Sequence, residues 1–338
     1  MESNLRIRSN RIAKWDNLKF YMILLVVVGH VTGYFLDYSS LAKGVYLFIY
    51  SFHMPVFIFI SGLMSKNAVH ERRYETVFQY LVIYIVMKFL ETFGNYLATG
   101  KTSFHVLWES GPAWFALAVA MFLIAAMLLQ NMNTVWVMGA GIFVGCVAGL
   151  DTHMGDHFAS MRILVFFPVF MAGYYCDMRK LLDATSDVWQ IVIKKIVSLV
   201  VLLGLLVVFL TNAEELYPLI RLFKGKYEYG DMEFLGSDMA GIVYRLACYL
   251  MWGILILAVI NLTSSAERIY TWLGKRTMAI FIWHTFVIIL VMKVFAVKSL
   301  LLFNLQHTFV IGGVCIGIII TVLCAYLPEL RIKSSRKN

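Results

Sequence analysis

The sequence predicts an all-α fold, a polytopic integral membrane protein with about ten transmembrane helices, and three observations carry that expectation. Of its 338 residues 61% are hydrophobic and only 14% charged, an apolar content well above that of soluble domains. Apolar runs long enough to cross a bilayer recur from near the start to near the end of the chain. Lysines and arginines gather in alternate connections, as the cytoplasmic bias of such residues requires.

A crossing takes about 20 residues at 1.5 Å per residue. Ten segments qualify, approximately 18–37, 44–64, 76–97, 112–130, 134–150, 159–177, 190–210, 240–261, 277–297 and 307–327. The start, MESNLRIRSNRIAKWDNLKF, is basic, but the apolar stretch after it is full length and ends without a small-residue cleavage site, so it is expected to stay as the first span. Pro55 interrupts the second span, and Lys88 and Glu91 sit in the third, one turn apart. Gly141, Gly145 and Gly149, and later Gly313 and Gly317, recur every four residues, a spacing suited to close helix packing. The longest connection, roughly 211–239, mixes acids, bases and tyrosines, and is placed to cover a site on its side of the membrane. Nothing remains for a separate soluble domain, so one membrane domain is expected over 1–338, with its core at about 15–327.

With the N-terminus in the cytoplasm, 19 of the 29 lysines and arginines fall inside, six fall outside and four lie within or near spans. This orientation puts both termini in the cytoplasm of a cell whose plasma membrane holds the chain. The inside set includes Lys66, Arg72, Arg73, Arg179, Lys180, Lys275 and Arg276, and the outside set includes Lys224 and Lys226. The formal net charge of +9 is scattered over short loops rather than gathered in a patch, which excludes a nucleic-acid partner. Five cysteines, odd in number and set in or at the ends of apolar runs, have no metal-ligand spacing, so neither a disulfide framework nor a metal is expected.

An ionisable group within a span costs about 2.5–3.5 kcal/mol on insertion scales unless it is paired or faces water, so such groups lead the search for a site. Lys19 and His30 are eleven residues apart, which leaves about 20° between them on a helix and separates them by roughly 16 Å along it. They share one face, Lys19 at the inner mouth and His30 beyond mid-depth. His53 lies at a similar depth in the second span. Pro55 strips the Ser51 carbonyl of its helical partner, and that carbonyl is an expected acceptor for the His53 ring. Glu91, Trp114, Arg162 and Arg245 fall in the outer part of their spans, where they would gather around an acceptor. Ser61, Lys275, Arg276 and His284 fall in the inner part, where a nucleotide donor would enter. For Arg162 and for Arg245 taken singly, snorkelling to the outer interface is a stronger reading than ligand contact.

These residues sit in stretches with a collective likeness. WDNLKFYMILLVVVGH (Trp15–His30), SFHMPVFIFISG (Ser51–Gly62), GPAWFAL (Gly111–Leu117), RILVFFPVFMAGYY (Arg162–Tyr175) and LGKRTMAIFIWH (Leu273–His284) together resemble the acyltransferase 3 family, and within it the fucose 4-O-acetylase-like branch. The resemblance implies a ten-helix membrane fold and transfer of acetyl, or another short acyl group, from cytoplasmic acyl-coenzyme A to an extracytoplasmic or lipid-linked sugar. The family's basic residue followed eleven positions later by histidine falls on Lys19 and His30. Many members carry a glutamate shortly after the tryptophan of the fourth span, whereas here ALAVAMFLIAAMLL follows Trp114 without an acid, and Glu91 is the substitute chosen on depth.

Such a transfer needs a base for the sugar hydroxyl as it attacks the thioester, and a neutral imidazole titrating near 6.5 is suited to it. His30 is the expected base or acyl carrier, with His53 orienting it or donating to the oxyanion and Glu91 as an acid partner. Lys19, Arg72, Arg73, Arg276 and Ser61 are expected to hold acetyl-coenzyme A. Trp114, Arg162 and Arg245 are expected to contact a carbohydrate or glycolipid acceptor. An exporter of an anionic sugar or lipid is the rival, and it needs neither a phosphate site nor a catalytic histidine.

Overall fold

A computed structural model describes residues 2–102, 104–105, 107–109, 111–152, 154, 157–177, 181, 188–305 and 308–330. Among them the chain is helical, with no strand beyond an isolated bridge between Trp108 and His157. Apolar helices occupy the expected segments: α1 (Glu2–Thr32), α2 (Ser40–Met64), α3 (Tyr74–Thr99), α4 (Trp114–Leu129), α5 (Thr134–Val147), α6 (Ser160–Tyr175), α7 (Val188–Thr211), α8 (Asp238–Leu262), α9 (Thr277–Ile289) and α10 (Phe309–Ala325). Six stretches, Ala13–Tyr38 at α1, Trp189–Thr211 at α7 and those at α2, α3, α8 and α9, are long and apolar enough to cross a membrane. The other four are equally apolar but shorter, 14 to 17 residues. Of the expected cytoplasmic cations, Arg179, Lys180, Arg331, Lys333, Arg336 and Lys337, and the side chains of Arg6, Arg8 and Arg11, lie outside the described residues.

Local chemistry sets several boundaries. The Ser39, Asn133 and Ser237 side chains accept from the backbone N–H groups of Ala42, Val135 and Ala240, so α2, α5 and α8 each open on a cap. α9 runs on into a π-helical turn at Leu290–Val294, and Ala296, at φ 52°, ends it. The outside of the bundle is greasy. α7 exposes Val200, Leu203, Val207 and Val208, a surface that water would not tolerate and lipid tails would.

Inside, α2 is the hub, packed against α1, α6, α7 and α8. At its crossing with α6 a Cβ added to Gly62 would fall on the Phe170 carbonyl, and one added to Gly173 on the Phe59 carbonyl. The backbones touch there, which only a bare α-carbon permits. Gly62→Ala should therefore push α2 off α6 at the roughly 1–3 kcal/mol that overpacking costs, and lower the thermal midpoint of detergent-purified protein by several degrees. An unchanged midpoint would mean that the crossing gives way freely. The spaced glycines work as expected: Gly141 faces Phe167 across α5 and α6, while Gly313 and Gly317 face Phe35 and Val28 across α10 and the first span.

Candidate active site

Two cavities lie on either side of His30. The larger, about 340 Å³, is walled by His30 of α1, Tyr34 just beyond it, Tyr46, Tyr50 and His53 of α2, Glu91 of α3 and Arg162 of α6. The smaller, about 280 Å³, has an apolar wall of Phe57, Ile60, Phe115, Val119 and Phe281, with Lys19, Ser61, Lys275 and Glu329 also in its lining. A neck of about 20 Å³ shares His30, Met54, Pro112 and Trp114 with the first and Phe57, Phe115 and Phe281 with the second. Lys19 and His30 thus line the two ends of one face of α1, as their spacing requires.

Three imidazoles meet near the neck, and their hydrogen bonds separate them. Nδ1 of His53 is 2.6 Å from the Ile49 carbonyl oxygen, and Nδ1 of His284 is 2.7 Å from that of Phe281. A carbonyl only accepts, so each Nδ1 carries a proton and each neutral ring keeps its lone pair on Nε2. Thr285 can donate to that atom of His284, 3.3 Å away. The His30 ring lies 5.4 Å from the His284 ring, is half-buried, and makes no hydrogen bond among the described residues. His30 is the ring left open to the cavity.

Two expectations are corrected here. His53 bonds to Ile49 and not to the Ser51 carbonyl, because position i−4 lies beneath a helical side chain whereas i−2 is on the far side of the helix. His284, grouped by depth with the inner mouth, is in ring contact with His30. A linear depth count starts every helix at one plane and ignores how packing staggers them.

Glu91 lines the outer cavity, and its carboxylate rests where a side chain on Gly111 would be, 2.5 Å from the place of the missing Cβ. Glycine in GPAW therefore makes room for the acid. Lys88, one turn before Glu91, pairs instead with Glu109 in the following connection, its Nζ 3.3 Å from that carboxylate. Burial pushes the Glu109 carboxyl up to about 7 against the pull of Lys88. Arg162 is buried, its guanidinium 5.2 Å above the Trp114 ring, which itself stacks on Phe166. Phe158 and Ala159 enter α6 in the left-handed region, at φ 49° and 51°, and so fix the helix start from which Arg162 projects.

The long connection closes over the outer cavity, contributing Phe223, Lys224, Lys226 and Tyr227 to its wall. Arg245 holds it down. Fully buried, it donates from Nη1 to the Leu222 carbonyl at 2.6 Å and is not among the cavity-lining residues, so it positions the loop and does not face an acceptor. Tyr229 adds bonds to the Cys146 and Gly149 carbonyls, both at 2.7 Å.

The inner mouth is less cationic than its sequence suggests. Lys19 lines it and pairs with Asp16 at 2.7 Å, and Ser61 lines it while donating to Phe57. Arg276 instead clamps the end of α10, donating to the Ala325 and Leu327 carbonyls and to Glu329. Arg72 and Arg73 are exposed, Arg73 paired with Glu71, and neither lines the cavity. Lys275, not chosen for donor binding, does line it. Asn17 donates to the Ser264 and Ala266 carbonyls, both at 2.9 Å, and accepts from Thr271, which fixes the turn that brings Lys275 to the cavity that Lys19 lines. The signal in the sequence was an amide at the head of the first span in WDNLK, and the structure buries it fully. Among the described residues no His, Cys, Asp and Glu cluster is arranged to hold a metal ion.

Residues 12–327 match the model of the acyltransferase 3 family, described as an acyltransferase domain. Neither a curated protein nor a solved structure matches the chain.

Proposed function

The chain belongs to the acyltransferase 3 family, and on that premise we propose that it is a membrane O-acetyltransferase carrying acetyl, or another short acyl group, from cytoplasmic acyl-coenzyme A to a hydroxyl of an extracytoplasmic or lipid-linked sugar. The observation that supports this most is the place of His30, an imidazole with an open ring at the joint between two cavities. In this reading all ten apolar helices cross the plasma membrane with both termini inside. The inner cavity takes the acyl-bearing arm of the donor along its apolar wall, with Lys19 and Lys275 near the phosphates. The outer cavity takes the sugar.

His30 removes the hydroxyl proton as the sugar oxygen attacks the thioester carbonyl. The carbon–sulfur bond then breaks, and the coenzyme thiolate leaves with a proton returned by the imidazolium. Direct transfer and an acyl-imidazole carried on His30 both suit this position. The tautomer of His53 narrows its part. With Nδ1–H tied to Ile49, the neutral ring has only an acceptor to offer, which suits orienting a donor N–H or O–H and not stabilising an oxyanion. The neck of about 20 Å³ has the room of about one water, which argues against an export path for a whole sugar or lipid.

The test is transfer of radiolabel from acetyl-coenzyme A to glycans in membrane fractions. Label should reach a glycan with the wild-type chain and not with His30→Ala; absence of transfer by the wild type would overturn the reading, and transfer equal in the two would remove His30 from it. Orientation is tested separately with Lys66→Cys and Lys224→Cys in intact cells. The second should react with an impermeant thiol reagent and the first should not, and the reverse pattern would invert the assignment of donor and acceptor cavities.

A further inference from the structure

The outer cavity has a charge that a neutral sugar does not call for. Among its described lining residues the cations are Arg162, Lys224, Lys226 and Lys293, and the one carboxylate is Glu91. The excess is fixed in position by packing. Arg162 sits over Trp114, and Lys224 lies 5.2 and 5.4 Å from the Tyr46 and Tyr50 ring centroids, the two rings being stacked on each other. Lys226 is 4.9 Å from the Tyr227 ring, and Lys293, in the π-helical turn after α9, donates to the Asn95 side chain at 3.1 Å. The loop that carries two of these cations is pinned by Arg245 and Tyr229.

Glu214 pairs with Lys43 at 2.5 Å and accepts from Ser40, and neither it nor Asp37 lines the cavity. Like charges gathered in a recess partly shielded from water repel one another, and an anion entering the recess relieves that repulsion. The rings between the cations offer flat apolar faces of the kind that cover the C–H side of a sugar. A volume of about 340 Å³ falls within the range of small-ligand sites, which suits the end of a glycan.

We propose that the outer cavity selects an acidic saccharide, its carboxylate or phosphate held among Arg162, Lys224, Lys226 and Lys293 while a hydroxyl is presented to His30. This rests on the acyltransferase reading for the identity of the bound group as acceptor, and on the charge of the cavity for its sign. The selectivity lies in binding, so it is measured without turnover.

Purified protein in detergent is titrated with three probes: a glucuronate-ended oligosaccharide, its glucose-ended counterpart, and a glucosyl phosphate. At least one acidic probe should bind roughly tenfold or more tightly than the neutral one and weaken with added salt. Preference for the glucuronate assigns a carboxylate, and preference for the glucosyl phosphate assigns a phosphate. Lys224→Gln should remove most of the preference and Lys224→Arg should keep it. Equal binding of all three probes, or binding of neither acidic probe at millimolar concentration, overturns the proposal. A Lys224→Gln variant whose only defect is a higher requirement for acetyl-coenzyme A also overturns it, because the cations would then serve the donor. If the charge preference holds while no acetyl transfer is found, the acyltransferase reading fails and the anion site stands.

Discussion

Replacing His30 by alanine is expected to abolish acyl transfer, with a loss of roughly 10²–10⁴-fold if the ring acts as a general base. The side chain is half-buried and faces a cavity, so its loss leaves the helix packing of α1 intact and the folded protein measurable. Donor binding should be unchanged, because a base acts on the hydroxyl in the transition state and contributes little to affinity for the thioester. His53→Ala should cost less, since its Nδ1–H is committed to Ile49 and the ring can only orient another group. Initial rates from labelled acetyl-coenzyme A, on matched amounts of folded protein, rank the two. A trapped acyl-protein, formed by the wild type without acceptor and absent from His30→Ala, would assign the covalent route. Near-normal turnover in His30→Ala would remove the residue from the chemistry and pass the role to His53 or Glu91.

What is legible in the amino-acid sequence is whatever follows from a single helix. The apolar runs located the helices because bilayer thickness sets their length, and the 3.6-residue repeat placed Lys19 and His30 on one face. Relations between helices were not legible in the same way. Lys88 finds Glu109 twenty-one residues on instead of Glu91 one turn away, because a connection folds back over the end of α3. Arg276 and Arg245 read as ligand-binding by depth and charge, yet both are spent on backbone carbonyls at the ends of other elements. Depth along a span does not say which way a side chain faces. Tyr46, Tyr50 and His53 could have been grouped, being spaced four and three residues apart on α2, and the cavity confirms that they share a wall. Lys224 and Lys226 had no such cue, since their place depends on a loop pinned from beneath.

The neck makes a second large effect expected, one that separates the path between the cavities from the chemistry at His30. Val26 lies one turn before His30 on α1, is buried, and lines the neck with Phe57, Phe115 and Phe281. Val26→Phe puts a ring into about 20 Å³ of space and should close the passage between thioester and hydroxyl. Displacement of reacting groups by about 1 Å is enough for a roughly 10²-fold loss, so transfer should fall at least that far while acetyl-coenzyme A and the sugar still bind. Lys19→Ala should behave differently, raising the donor concentration needed for half-maximal rate, because it acts at the mouth. Overpacking is itself destabilising, so the opposite change gives the cleaner reading. Val26→Ala enlarges the neck and should keep acetyl transfer while raising the rate with butyryl-coenzyme A relative to acetyl-coenzyme A. If Val26→Phe folds and transfers acetyl at the wild-type rate, or Val26→Ala leaves the acyl preference unmoved, the two cavities do not meet through this neck.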